Sequence, residues 1–509
     1  MTRGAFMLNK QIAFLDKAVE NSIKTDLTKQ NVVESGTVIS VDSGIAHVKG
    51  LRAVKNLELI AFPGDIMGMA FNLDPESIGV ILLGDYYGIK AGDKVKRTYK
   101  VSEIPVSEEF LGRVISPLGK LIDDKGEVYT TESLPVEREA PSIIKRAPVF
   151  QPLQTGIKVI DSIVPIGRGQ RELILGDRQT GKTTIAVDTI INQKDSGVIS
   201  IYCAIGQQIT SVSKTIDILR SKGAMENTIF MIAGSEDPPG VAYIAPYAAT
   251  SLAEYFMEKG RDVLIVYDDL TRHARAYREL SLLLERPPGR EAYPGDIFYI
   301  HSRLLERSTH LKDEFGGGSI TSLPIIETQA ENLSAYIPTN LISITDGQIY
   351  LSPKLYQRGN LPAVQIGVSV SRIGGKTQIP SYRSITSQLK LTYSQFEELE
   401  AFASFGTRID DSTRRTLDRG RRIRAVLNQN QHEPIEVTEQ IGVLLAVTSG
   451  SLDAVELDDI DEAQELIRRY VREDDEFREN LLGDNQLEES VKQGFIDRIQ
   501  SLLQKEMDI

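Results

Sequence analysis

The chain has 509 residues, of which 41% are apolar and 25% are charged, with a formal net charge of −13. This length allows roughly two to four domains, and the acidic balance argues against broad, non-specific nucleic-acid binding. One cysteine, Cys203, excludes an intramolecular disulfide and fits a reducing compartment; its apolar neighbours predict that the thiol lies in the core. No apolar run reaches the ~18 residues that span a bilayer, so a soluble, cytoplasmic protein is expected.

The predicted elements fall into four successive segments. Residues 1–26 mix apolar and charged residues at helical spacing, which predicts a helix that either packs on its own domain or binds a partner. Residues 27–101 contain short strand-like runs separated by Gly/Asp turns, a pattern typical of a small antiparallel β-barrel. In residues 102–380 strand-like runs alternate with helical patterns, which indicates an α/β domain with a mainly parallel sheet. Residues 381–509 have helical apolar spacing and few glycines, which predicts a helical domain.

One segment of the α/β region fits the phosphate-loop pattern G-x-x-x-x-G-K-[ST]. Its residues are Gly176, Asp177, Arg178, Gln179, Thr180, Gly181, Lys182 and Thr183. A strand-like run precedes the loop and a helical run follows it, so backbone N–H groups and a helix N-terminus can hold phosphates. Lys182 is expected to pair with the β- and γ-phosphates, and the Thr183 hydroxyl to bind Mg²⁺. The sequence therefore predicts a nucleotide site, most simply for Mg-ATP.

Such sites need a second element, an apolar strand that ends in a carboxylate on the magnesium side. Residues 263–268 read Val-Leu-Ile-Val-Tyr-Asp. Asp268 ends this strand directly and is the expected metal-side group, while Asp269 is expected to orient its neighbours.

Hydrolysis also needs a group that orients and activates the attacking water. The strand after the loop helix, residues 198–204, runs into Gln207. A glutamine amide can orient a water but accepts no proton at neutral pH. Either the site binds ATP and barely hydrolyses it, or Gln207 is an ordinary loop residue and the base lies elsewhere, for example at Glu327 or Glu291.

Together these motifs resemble the alpha subunits of F-type ATP synthases, and the likeness extends from about residue 34 to residue 452. The segments that carry it are PIGRGQRE at 165–172, GDRQTGKT at 176–183, RPPGREAYPGD at 286–296, FGGGS at 315–319, SAYIPTN at 334–340 and ITDGQ at 344–348. The resemblance implies a β-barrel crown, a P-loop (RecA-like) nucleotide-binding domain and a C-terminal helical bundle. It also implies that the chain's own site holds ATP or ADP with Mg²⁺ without catalysis, because Gln207 stands where the catalytic beta subunit has glutamate.

The resemblance assigns a catalytic contribution to Arg372. This residue matches the arginine finger that alpha supplies to the catalytic site of the neighbouring beta subunit, where a guanidinium stabilises charge on the transferring phosphoryl group. Ser369 is expected to help position it. The alternative is that Arg372 forms a structural salt bridge at the interface.

Other assignments concern the nucleotide held by the chain itself. Arg178 and Gln179 resemble phosphate-side contacts, whereas Gln429 and Gln431 resemble residues near the adenine. Pro362 matches an adenine-side position, but Leu361 precedes it where the family usually has arginine. Further departures, such as the loop 207–210 without its usual lysine and the run Thr-Arg-His-Ala-Arg at 271–275, suggest a divergent or second-copy member.

The resemblance also implies the partners. Alpha and beta subunits alternate in a hexamer around a gamma subunit, the alpha N-terminus contacts the delta subunit and peripheral stalk, and a membrane sector moves protons or sodium ions. The expected place is the cytoplasmic face of a bacterial membrane.

Two other functions compete with this one. A self-sufficient hexameric ATPase, such as a protein-export ATPase or the catalytic subunit itself, should have glutamate at position 207. A Rho-like RNA translocase needs stacking aromatic residues and a basic groove in the barrel, for which Tyr86, Tyr87 and Lys90 give thin support. No nucleic-acid partner is expected, because the arginines of 414–424 alternate with apolar residues as on a solvated or subunit-facing side of a helix.

Overall fold

The computed structural model describes residues 34–403, 411–483 and 486–507. The helix predicted within residues 1–26 lies outside these residues. Among the residues that the structure describes, no helix is both long enough and apolar enough to cross a membrane.

The strands and helices of the described residues follow one another in three stretches. The strands of the first stretch are β1 (Ser35–Asp42), β2 (Ile45–Lys49), β3 (Glu58–Ala61), β4 (Met67–Leu73), β5 (Ile78–Leu82), β6 (Lys94–Val101), β7 (Glu103–Val106), β8 (Val114–Ile115) and β9 (Glu132–Pro135). Then come α1 (Lys158–Ile163), β10 (Glu172–Gly176), α2 (Lys182–Asn192), β11 (Ile199–Gln207), α3 (Ile209–Ser221), β12 (Thr228–Gly234), α4 (Pro239–Glu258), β13 (Asp262–Asp268), α5 (Leu270–Leu283), α6 (Ile297–Leu305), β14 (Ser319–Glu327), α7 (Tyr336–Ile344), β15 (Gly347–Leu351), α8 (Pro353–Gln357) and β16 (Val370–Ser371). The last are α9 (Pro380–Ala403), α10 (Asp411–Leu427), α11 (Val437–Ser449), α12 (Ile460–Glu473), α13 (Asp475–Leu482) and α14 (Glu489–Glu506).

These elements form two compact units. The first comprises the described residues up to 145 together with 199–216 and 225–318. The second comprises 146–198, 217–224 and the described residues from 319 onward.

The first unit begins with a closed β-barrel of order β1-β2-β5-β4-β3-β6. Ser43 and Gly44 join the first two strands with φ values of 47° and 84°, the two positive values that a tight hairpin turn requires. Alternate residues such as Val38, Val48 and Val80 point into a buried apolar core. The barrel predicted from the short strands and their turns is confirmed.

The first unit also contains parallel strands of the α/β region. Strand β11 lies between β12 and β13, and β8 pairs with β12. Cys203 on β11 stands in register with Met231 and Tyr267, and all three are fully buried. Burial raises the pKa of the Cys203 thiol, so this thiol is an unreactive part of the core, as the sequence predicted.

The second unit contains the remaining strands of the α/β region and the C-terminal helices. Strand β10 lies between β14 and β15, parallel to both, and β16 runs antiparallel to β15. Helices α9 to α12 pack on one another, and Phe396, Ile423, Leu444 and Ile467 are fully buried between them. Each such side chain stabilises the fold by about 1.5–3 kcal/mol, so apolar packing holds the predicted helical domain together.

The arginine-rich helix α10 uses several of its charges within the protein. Arg424 pairs with Glu400 of α9 at 2.6 Å, Arg419 pairs with Asp453, and Arg422 donates to the carbonyl of Val455. These arginines therefore tie α10 to its neighbours.

Candidate functional site

Strand β10 delivers the chain into the predicted phosphate loop. All five of its residues are buried, and its last one, Gly176, packs so closely on β15 that a Cβ atom would lie 2.7 Å from the Leu351 carbonyl oxygen. Gly181 is the N-cap residue of helix α2 and has φ 97°, a conformation that residues other than glycine rarely adopt. The loop therefore needs both of its glycines for steric reasons, and the first turn of α2 follows it directly.

Lys182 lies buried inside the loop. Its Nζ donates to the carbonyl oxygens of Gly176 at 2.9 Å and Asp177 at 2.5 Å. An ammonium group binds a phosphate oxygen more strongly than a neutral carbonyl oxygen, so the loop presents a cation that suits a polyphosphate.

The carboxylate of Asp177 is directed away from that cation. Its Oδ1 accepts from the Thr328 hydroxyl at 2.6 Å and from the Glu331 N–H at 3.1 Å. Any contact of Asp177 with a phosphate therefore uses its backbone.

A cavity of about 870 Å³ opens beside the loop within the second unit. Its volume falls in the usual range of cofactor sites. Its lining includes the loop residues 179–184 together with Leu361, Pro362, Gln429 and Gln431. The structure thus brings residues that are far apart in the sequence into one cavity, and its lining combines the Lys182 cation with the apolar side chains of Leu361 and Pro362, which fits a nucleoside triphosphate.

Gln429 and Gln431 both line the cavity but differ in their contacts. The amide of Gln429 donates to the carbonyls of Gly156 and Glu433 and accepts from the Lys158 N–H. Its polar atoms are therefore engaged by the protein itself, whereas the Gln431 side chain is exposed. Leu361 is 41% exposed and adds apolar surface to the cavity lining.

Sequence reasoning missed an acid–histidine contact beside the loop helix. Asp188 on α2 accepts from the His432 backbone N–H at 2.9 Å and lies 3.0 Å from its Nδ1. Burial raises the pKa of the Asp188 carboxyl, and the imidazole opposes this shift. The two residues are 244 positions apart, so no local pattern could have paired them.

Lys158 on α1 was also missed. It is 3% exposed, and its Nζ donates to Gln464 Oε1 at 2.5 Å. Burial, helped by the nearby charge of Arg468, lowers the pKa of Lys158 to about 7. The neighbouring residues Ile157 and Asp461 line the cavity. The Lys158 ammonium group, with its lowered pKa, is therefore buried next to residues of the cavity lining.

Asp268 and Gln207 belong to the first unit, at the ends of adjacent strands. Asp268 is the last residue of β13 and Gln207 the last of β11. Gln207 Nε2 donates to Asp268 Oδ1 at 3.0 Å, and the Tyr202 hydroxyl donates to Oδ2 at 2.5 Å. Burial raises the pKa of Tyr202 well above its usual value, so this phenol remains a donor. Asp269 caps α5 by accepting from the Arg272 N–H.

The alternative bases lie at other places. Glu327 is the last residue of β14 in the second unit. Glu291 lies in the first unit on a short 3₁₀ turn, is exposed, and has φ 54°.

Arg372 lies at the surface of the second unit. Its Nη2 donates to the Ile342 carbonyl at 2.9 Å, and its backbone N–H donates to the Asp346 carbonyl at 2.8 Å. Arg372 is not among the described residues that line the 870 Å³ cavity. Ser369 is buried; its hydroxyl accepts from Tyr350 N–H and donates to the Gln365 carbonyl, so it fixes the start of the segment that carries Arg372.

A buried acid supports the same segment. Gln170 donates both to Glu172 Oε2 at 2.7 Å and to the Ser371 hydroxyl at 3.2 Å. Burial, and secondarily the charge of Asp346, raises the pKa of Glu172 well above its ordinary value, which favours its neutral form. Gln170 thus joins this acid to the residue that precedes Arg372.

Similarity to known proteins extends over the barrel, the α/β region and the helical domain. Residues 31–99 match the beta-barrel domain of the ATP synthase alpha/beta family, and residues 156–371 match its nucleotide-binding domain. Residues 378–502 match the C-terminal domain of the same ATP synthase alpha/beta proteins.

The alignments with individual relatives cover most of the chain. "ATP synthase subunit alpha 1" of Shewanella frigidimarina is 61% identical over 435 residues, which is 86% of this chain and 84% of the relative. "ATP synthase subunit alpha 2" of Syntrophus aciditrophicus is 60% identical over 438 residues, with 86% and 84% covered. "ATP synthase subunit alpha 1" of Chlorobium luteolum is 55% identical over 495 residues, with 96% and 97% covered. The chain therefore belongs to the ATP synthase alpha/beta family, among the alpha subunits of F-type ATP synthases.

Proposed function

We propose that this chain is a regulatory alpha subunit that holds Mg-ATP without readily hydrolysing it and supplies Arg372 to the catalytic site of the adjacent beta subunit. The observation that carries the proposal is the separation of Arg372 from the chain's own cavity. The guanidinium is exposed, and it is not among the described residues that line that cavity. An arginine so placed is available to a neighbouring subunit, where it would stabilise charge on the transferring phosphoryl group.

The chain's own site is proposed to bind ATP or ADP. Lys182 and the N-terminus of α2 supply positive charge for the phosphates, and the apolar surface of Leu361 and Pro362 suits a base. Bound Mg²⁺ would neutralise phosphate charge, and the motifs assign Thr183 and Asp268 to it. Gln207 supplies an amide where hydrolysis would need a carboxylate, which supports slow turnover.

The proposed setting is a rotary complex. Alpha and beta subunits alternate around gamma, the segment 1–26 meets the delta subunit and peripheral stalk, and the membrane sector moves protons or sodium ions. The complex makes ATP from ADP and phosphate or runs in reverse as an ion pump, at the cytoplasmic face of a bacterial membrane. The numbered names of the relatives support a second-copy subunit.

The proposal is tested by purifying the chain alone and together with its beta partner. The isolated chain is expected to bind Mg-ATP with no measurable steady-state hydrolysis, and the assembled complex is expected to hydrolyse it. Strong hydrolysis by the chain alone would contradict a non-catalytic site. Failure to bind Mg-ATP would contradict a nucleotide site of any kind.

A further inference from the structure

Asp177 contacts two different parts of the second unit. Its backbone carbonyl faces the phosphate loop, where it accepts from Lys182 Nζ at 2.5 Å and from the Thr180 hydroxyl at 2.9 Å. Its side chain faces the segment that follows β14, where it accepts from Thr328 Oγ1 and from the Glu331 N–H. One residue thus joins the loop cation to a segment about 150 positions away in sequence.

The segment 328–331 has a strained backbone. Ala330 and Glu331 have φ values of 52° and 59°, and each non-glycine residue in the left-handed region costs about 1–2 kcal/mol. Such a conformation persists only where the surroundings hold it. Here the Asp177 carboxylate accepts from the Glu331 N–H at 3.1 and 3.2 Å, and Lys354 pairs with the Glu331 carboxylate at 3.0 Å.

Polyphosphate bound in the loop would change the surroundings of Asp177. A phosphate oxygen competes with the Asp177 carbonyl for Lys182, because charge-assisted hydrogen bonds are the stronger ones. A polyphosphate also repels a carboxylate near it, so the bound state favours an Asp177 side chain that stays turned toward the segment 328–331. Both effects make phosphate binding and the conformation of this segment depend on each other.

The segment continues into a part of the protein that contacts Arg372. Gln329 and Asn332 are exposed, and α7 begins at Tyr336. Ile342 of that helix provides the carbonyl that accepts from Arg372 Nη2. The segment 328–331 therefore ends a few residues before α7, the helix that accepts a hydrogen bond from Arg372.

We propose that Asp177 is a positioning residue that couples occupancy of the phosphate loop to the conformation of the segment 328–331. The inference rests on the proposed binding of Mg-ATP by this chain. Coupling of this kind is reciprocal: nucleotide stabilises the segment, and the held segment raises nucleotide affinity by the same factor.

The test is hydrogen–deuterium exchange of the full chain with and without Mg-ATP. In the wild type, the amides of 329–334 are expected to exchange several times more slowly when Mg-ATP is bound. In Asp177→Ala the exchange of these amides should no longer depend on nucleotide, and Mg-ATP affinity should fall by the same several-fold factor, because the coupling is reciprocal. Asp195→Ala is the matched control, since that carboxylate is 87% exposed, and it should behave as the wild type.

A second variant separates coupling from simple damage to the loop. Glu331→Gly removes the cost of the left-handed conformation, so in the Asp177→Ala background it should slow exchange at 329–334 equally with and without Mg-ATP, because the carboxylate that carries the coupling is still absent. If Asp177→Ala does not fold, Asp177→Asn replaces it; it keeps one acceptor, so a partial loss is expected.

Three outcomes of the exchange and binding measurements would contradict the proposals. Wild-type protein that binds Mg-ATP without any change in exchange at 329–334 refutes the coupling and leaves the proposed function standing. An Asp177→Ala variant that keeps the full nucleotide-dependent change also refutes it. Wild-type protein that fails to bind Mg-ATP overturns the proposed function and this inference with it.

Discussion

Gln207 Nε2 lies 3.0 Å from Asp268 Oδ1, at the ends of two adjacent parallel strands. The amide donates to the carboxylate, and the Tyr202 hydroxyl donates to its other oxygen. A carboxylate at position 207 would instead face Asp268 with like charge. Glutamine at position 207 therefore gives the Asp268 carboxylate a hydrogen-bond donor, where glutamate would place a second negative charge beside it.

The first prediction concerns Gln207→Glu. Two carboxylates about 3 Å apart repel each other, so without divalent cations this variant should lose about 1–2 kcal/mol, seen as a fall of about 1–2 °C in Tm. Added Mg²⁺ should raise its Tm more than that of the wild type, because the ion neutralises the pair. Thermal unfolding with and without Mg²⁺ measures both effects. Gln208→Glu, at an exposed neighbouring position, is the control; equal Mg²⁺ responses in the two variants would refute the pairing.

The second prediction concerns Lys182→Ala. Loss of the buried ammonium removes the main cation of the loop, and affinity for Mg-ATP should fall at least about 100-fold, since charge-assisted bonds to phosphate are the strong ones. Binding is measured by equilibrium titration. Lys194→Ala, whose side chain is 46% exposed, should bind as the wild type. Unchanged affinity in Lys182→Ala would show that the loop holds no phosphate.

The third prediction concerns Arg372→Ala in the assembled complex. Steady-state hydrolysis should fall by roughly a thousandfold or more, the usual effect of removing an arginine finger, while nucleotide bound to this chain remains. Arg220→Ala removes a surface arginine, 59% exposed, and should leave hydrolysis intact. Retained turnover in Arg372→Ala would leave only a structural role for this residue.

The fourth prediction concerns the pH dependence contributed by Lys158. Its pKa is about 7 in the fold against 10.5 ordinarily, so between these values the unfolded state binds more protons than the folded one. Stability should therefore rise with pH across this window, by up to about 1.4 kcal/mol per pH unit, and below pH 7 this group should add no further slope. Lys158→Met should lose this slope, whereas Lys194→Met should keep it. Urea unfolding midpoints at several pH values measure the difference; equal slopes in both variants would contradict the buried, shifted lysine.

What the sequence by itself determined was local. The loop 176–183 could be predicted because its glycines, lysine and threonine act through a few consecutive residues, with a strand before them and a helix after. Asp268 was singled out in the same way, as the polar end of a continuous apolar strand, and β13 does end at this residue. The barrel and the burial of Cys203 followed from turns and apolar runs, which encode short-range geometry.

Only the tertiary structure decided which side chains meet across long stretches of sequence. Asp177 reads as one more loop residue, yet its carboxylate bonds the segment 328–331. Gln429 was predicted to lie near the adenine; it lines the cavity, and the structure adds that its amide donates to the carbonyls of Gly156 and Glu433. Asp188 meets His432 across 244 positions. Such contacts depend on how strands and helices pack, a non-local property that no residue spacing records, because hydrogen bonds form between whichever groups the fold brings within about 3 Å.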